Sequence, residues 1–98
     1  MAHSAKTAAF LMESLIADAG RGDADALYQL GVAYSTGTAG TEIDLIEAHK
    51  WFNLAALNGS EAGQHCRAEI SEEMTAREIA EAQRQARAWL AESWRRAA

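Results

Sequence analysis

The stretch DALYQLGVAYSTGTAGTEIDLIEAHKWFNLAALNG, residues 25–59, decides the fold. It reads as two amphipathic helices joined by a glycine-punctuated loop. In the first, Leu27, Leu30, Gly31 and Tyr34 recur at helical spacing and share one face. In the second, Ala48, Trp51, Phe52, Ala55 and Ala56 do the same. Small residues at Gly31, Ala48, Ala55 and Ala56 let helix axes approach closely, while Leu30, Tyr34, Trp51 and Phe52 fill the volume between them. A hairpin built this way must stack on neighbours. The signal concerns packing and carries no chemistry.

Leu30, Gly31 and Tyr34, followed by Ala48 and Phe52, overlap the L-G-x-x-Y and A-x-x-x-F elements of the tetratricopeptide pattern. The link between the two half-motifs is about five residues longer than that pattern gives, and it carries Gly37 and Gly40 before Asp44. With that loop and the run A-x-x-W-F-x-x-A-A-x-x-G (Ala48, Trp51, Phe52, Ala55, Ala56, Gly59), the chain resembles the Sel-one-like repeat (SLR) family. That family is an α/α solenoid related to tetratricopeptide proteins. The resemblance is tight over residues 22–59 and looser through the C-terminal tail. It implies an all-α, α/α superhelical repeat of about five helices in antiparallel hairpins, closed by a long C-terminal capping helix. It also implies adaptor work in assemblies and signalling, with no reaction of its own.

Ninety-eight residues make one domain, near the small end of what a single core supports. A hydrophobic fraction of 49% lies above that of disordered chains, so a folded globule is expected. Net charge is −5, which argues against a general nucleic-acid surface, since that needs a basic stripe to displace counterions. The charge is uneven: residues 1–63 hold 3 basic and 8 acidic side chains, giving −5, and residues 64–98 hold 6 of each, giving zero. The acidic half is the part to meet a basic partner. Cys66 is alone, so no intrachain disulfide forms, and the paired cysteines of secreted SLR proteins are lacking. The apolar run after Lys6 ends at Glu13, too soon for a signal core, and no stretch approaches a membrane span. A cytoplasmic location is the default expectation, with a periplasmic one as the alternative.

Taken in order, residues 1–5 are expected to fray, and residues 7–19 give a helix with the stripe Ala8, Leu11, Met12, Leu15 and Ala19. Phe10 and Ile16 widen that stripe beyond one packed face. Gly22 and Gly59 stand 37 residues apart, an offset that lays Leu15 on Phe52 and Ala19 on Ala56. The first helix therefore reads as the second half of a partial repeat (7–22), ahead of a full repeat (23–59). Gly20 stops it, Asp23 caps the second helix over residues 24–35, and Asp44 or Thr41 opens the third. A second partial repeat (60–74) has a thinner stripe of Ala62, Cys66 and Ile70, as a terminal repeat does when one face must meet water. Thr75 with Glu78 forms a capping box for the last helix (75–98), whose stripe is Ile79, Ala82, Ala86, Trp89 and Leu90.

Chemistry is sparse. His65 and Cys66 are adjacent and diverge by about 100° on a helix, and no metal-binding spacing occurs. His49 reads as a partly buried packing residue and Cys66 as a small apolar one. No nucleophile elbow, phosphate loop or dinucleotide glycine pattern is present. Glu69, Glu72 and Glu73 read as a solvated helix face. No enzyme activity, cofactor or metal is expected; a hydrolase-like activity, ascribed to cysteine-rich SLR members, is disfavoured by the single cysteine.

Binding remains. In stacked hairpins the first helices of successive repeats line one concave surface. Tyr28, Gln29 and Val32 point away from the packed stripe of the second helix, and the 37-residue offset sets His65, Cys66 and Glu69 beside them. Two readings stand for Tyr28 and Val32: a partner surface, or residues covered by the last helix folding back. Phe10, Met12 and Ile16 likewise either pack against the hairpin or form an open face through which the chain pairs with its own copy. The expected partner is a protein or peptide, or a second copy, with no nucleic acid and no membrane.

Overall fold

The computed structural model describes residues 5–97, which form five helices: α1 (Ala5–Gly20), α2 (Ala24–Thr36), α3 (Leu45–Leu57), α4 (Glu61–Ser71) and α5 (Ala76–Ala97). No strand occurs among the described residues. The expected all-α architecture of five helices is the one observed. Residues 1–4, expected to fray, lie outside the described part, and Ala5 already belongs to α1.

The starts of α2, α3, α4 and α5 each have a local cause. The Asp23 carboxylate accepts from the Asp25 and Ala26 amides, and Asp44 does the same for Ile46 and Glu47. Ser60 Oγ accepts from the Gly63 amide. The capping box forms as expected: the Glu78 amide donates to Thr75 Oγ1 while the Thr75 amide donates to Glu78 Oε1. At the other end of α2, Gly37 takes the left-handed conformation at φ 74°, and its N–H reaches Ala33 O. The loop then folds back on α2. Thr41 Oγ1 donates to Ala33 O at 2.9 Å, and the Asp44 amide to Tyr34 O at 2.8 Å. The long link is thus tied to the carbonyl end of the helix it leaves.

α3 is the centre of the molecule. α2 packs on one side of it, α4 on another and α5 on a third, while α1 lies on α2. Ala48, Phe52, Leu54 and Ala55 are almost completely buried, and burying a ring the size of Phe52 contributes about 1.5–3 kcal/mol. Glycine permits two close approaches. A Cβ on Gly31 would stand 2.4 Å from Phe52 Cδ1, and one on Gly63 would stand 2.9 Å from Ala55 Cβ.

α5 lies on α3 rather than along α4. Its buried Ala82 and Ala86 give a flat seat, and Trp89 meets Trp51 edge to face, with ring centroids 4.8 Å apart. Trp51 is held in turn by Glu47, which accepts from its Nε1 at 3.0 Å, and by the Lys50 ammonium over its ring. The covering of Tyr28 and Val32 by this helix therefore does not occur.

Three packing expectations change. Leu11 is 48% exposed, because the packed arc of α1 runs through Met12, Leu15 and Ala19 and leaves Leu11 at its border. On α4 the buried position is Gly63 rather than Ala62, since only a residue without a side chain fits against Ala55 and the Phe52 carbonyl. α4 also stops at Ser71, three residues early, where Glu72, Glu73 and Met74 turn by successive bonds to the carbonyls three residues back.

Candidate partner-binding surface

α4 packs on α3 and also touches α2. Tyr28 of α2 is half-buried, its ring tilted against Phe52 with centroids 5.7 Å apart. Beside its hydroxyl lies the half-buried thiol of Cys66 on α4. The neighbouring Cys66 sulfur, as a charge when ionised and as a hydrogen-bond partner, pushes the Tyr28 phenol above its ordinary value; burial and Asp25 add to the rise. Cys66 is thus a polar neighbour of the surface and not the small core residue expected.

Gln29 is exposed on α2, and Val32 is half-buried, its carbonyl accepting from Ser35 Oγ and Thr36 Oγ1. His65 and Glu69 are exposed one turn apart on α4, with Nε2 and Oε2 at 3.3 Å. The structure brings Tyr28 to α4 through Cys66. His65 and Glu69 face outward with each other as partners.

The electrostatics of this side are one-signed. α2 carries Asp25 and no lysine or arginine. Asp23, Asp25, Glu61, Glu69, Glu72 and Glu73 are all exposed. The one cation of α4, Arg67, is half-buried and donates to Asn53 Oδ1 of α3 at 2.5 Å, so its charge is turned inward. Arginines gather instead on α5, at positions 77, 84, 87, 95 and 96.

The open face of α1 is partly as expected. Phe10 is 73% exposed and Ile16 is exposed at 39%, but Met12 is turned into the core. Leu11 joins the outward apolar residues, so α1 is apolar over most of its circumference, as helices covered on more than one side are. Trp94, 78% exposed near the end of α5, was not legible as outward-facing; it falls one turn past the buried residues of that helix.

His49 is fully buried rather than partly so, and its Nδ1 has no hydrogen-bond partner. Among the described residues no three His, Cys, Asp or Glu side chains gather as a metal site, and no helix is long and apolar enough to cross a membrane.

Residues 24–60 match the family model of the Sel1 repeat. The match covers α2, the tied-back loop, α3 and the Asn58–Ser60 turn. No curated protein and no solved structure gives a significant match. The hairpin at the centre of this fold is therefore similar to a Sel1 repeat over residues 24–60.

Proposed function

We propose that this chain is a protein-interaction module of the adaptor kind, without catalytic activity, that holds a basic peptide or helix against the α2–α4 face. The observation that carries the reading is the character of that face. An aromatic ring, an amide and a β-branched side chain (Tyr28, Gln29, Val32) stand on α2, a helix held close to α3 at Gly31, with exposed carboxylates on α2 and α4. Rigid helices lower the ordering cost of binding, and one-signed rims steer a partner of the opposite charge. Sel1 repeats as a family mediate protein interactions. Tyr28→Ala tests the reading: capture of the partner from native cell extract weakens while far-UV helicity is kept. Unchanged capture removes this face from consideration.

A second reading has its own observation. Phe10, Leu11 and Ile16 are exposed together on α1, and outward apolar residues of this size mark contact surfaces. The chain then assembles with its own copy through α1. In that case Phe10→Asp gives a smaller particle by light scattering, and an unchanged mass rejects self-assembly through this helix.

A further inference from the structure

The α3–α4 interface contains a polar group that neither packing nor partner binding uses. His49 is 2% exposed, and its Nδ1 is buried with no partner. Asn53 stands one turn further along the same face of α3 and accepts from the Arg67 guanidinium of α4. The imidazole therefore sits in a buried seam beside a fixed positive charge. Gly63 is the one fully buried residue of α4, and its Cys66 and Ile70 side chains are half-covered.

We propose that His49 makes the docking of α4 acid-sensitive: a proton on the imidazole sets a second positive charge beside Arg67 in the seam, α4 loosens from α3, and the Tyr28–Cys66 contact opens. The groups around α3 leave this repulsion uncompensated. From α4, Arg67 is the charge that acts on His49. From α2, the titratable group against this part of α3 is the Tyr28 phenol, which lies on Phe52 and is neutral in acid. α5 meets α3 on the Trp51 side, where Glu47 and Lys50 of α3 pair with each other at 3.0 Å. The charge that acts on His49 is that of Arg67, and no carboxylate is among the groups that shift it.

Burial, then Arg67, hold the His49 imidazole below its ordinary value, against a smaller opposing effect of its own backbone. The sign follows. A histidine whose folded value lies below its unfolded one leaves stability intact above about pH 6.5 and removes it as the pH falls, until His49 is itself protonated in the folded state. This sensitivity belongs to the helix seam and holds whichever partner binds.

The test uses the full chain and two readouts. Cys66 is labelled with dithiodipyridine across the imidazole range, each rate being divided by that of a free thiol at the same pH. Normalised labelling should rise by up to about tenfold per pH unit below about 6.5 and should be flat in His49→Leu. An equal rise in both chains, or no rise in the wild type, overturns the proposal. Imidazole resonances of the wild type keep the question open to refutation if His49→Leu does not fold. His49 titrating below about 6.5 agrees with the seam described, and titration at or above it contradicts the seam. Neither readout depends on partner capture, so the failure of one account leaves the other standing.

Discussion

Gly31 is where sequence, packing and stability meet most tightly, and Gly31→Ala tests the close approach of α2 to α3. Two effects oppose. Alanine is about 1 kcal/mol better than glycine inside a helix. Its Cβ, however, would stand 2.4, 2.5 and 2.8 Å from three carbons of the Phe52 ring. That ring is 1% exposed and lies against Tyr28, so it has nowhere to turn. Overpacking of this kind costs about 1–3 kcal/mol, and with distances this short the upper end applies. The net loss is then about 2 kcal/mol, which for a domain of this size lowers Tm by about 8–16 °C. Urea and thermal unfolding measure it directly. A two-mutant cycle isolates the cause. Phe52→Ala alone costs about 3–5 kcal/mol, but in that background Gly31→Ala should stabilise, because the clash is gone and the propensity gain of about 1 kcal/mol remains. A Gly31→Ala protein as stable as the wild type, or one equally destabilised in both backgrounds, would refute the reasoning.

Three further outcomes follow from the same contacts. Thr75→Ala removes the acceptor for the Glu78 amide and should cost about 1 kcal/mol, with exchange protection lost first at the start of α5; uniform loss across the chain would contradict a local cap. Trp89→Ala should cost near the lower end of about 3–5 kcal/mol, since Trp89 is half-buried, and should shift Trp51 emission to the red as α5 lifts; unaltered Trp51 emission would place α5 elsewhere. Both tyrosines are pushed above their ordinary value of 10, Tyr28 chiefly by Cys66 and Tyr34 chiefly by burial, then Glu47 and Asp44. Stability linked to them is therefore full below about pH 10 and is lost as phenolate forms above it. Ultraviolet titration should show Cys66→Ala bringing one phenol back toward 10 and leaving the other in place.

The central hairpin was legible because its signals are redundant. Leu27, Leu30, Trp51 and Phe52 give the period, Gly31 and Ala55 give the close approach, and Asp23, Asp44 and Gly37 mark the ends. The capping box at Thr75 and Glu78 was legible for the same reason, being a local exchange of two hydrogen bonds. The docking partner of α5 was not. Its amphipathic pattern tells that one face is buried, but Ala82 and Ala86 fit any flat surface, and the choice of α3 rests on Trp89 finding Trp51. Leu11 was included in a stripe that in fact ends at Met12, and Ala62 was misplaced by one position, because alanine-rich helices show a broad apolar arc whose centre the sequence does not mark. The full burial of His49 was hidden for a related reason, since the sequence sets it beside the apolar stripe of α3 and does not show what covers it. Of the partner surface, the residue types were visible, whereas the inward turn of Arg67, which leaves the rim acidic, required the fold.

The most direct measurement places a photo-crosslinking side chain at Gln29, exposed on α2, and in a second protein at Arg84, exposed on the outer face of α5. Both are irradiated in native cell extract at low and high salt. The account predicts a discrete adduct from position 29 alone, with a basic protein or segment, weakened by salt because the rim charges are exposed. The same adducts from both positions, or none from position 29, would contradict a binding role for the α2–α4 face.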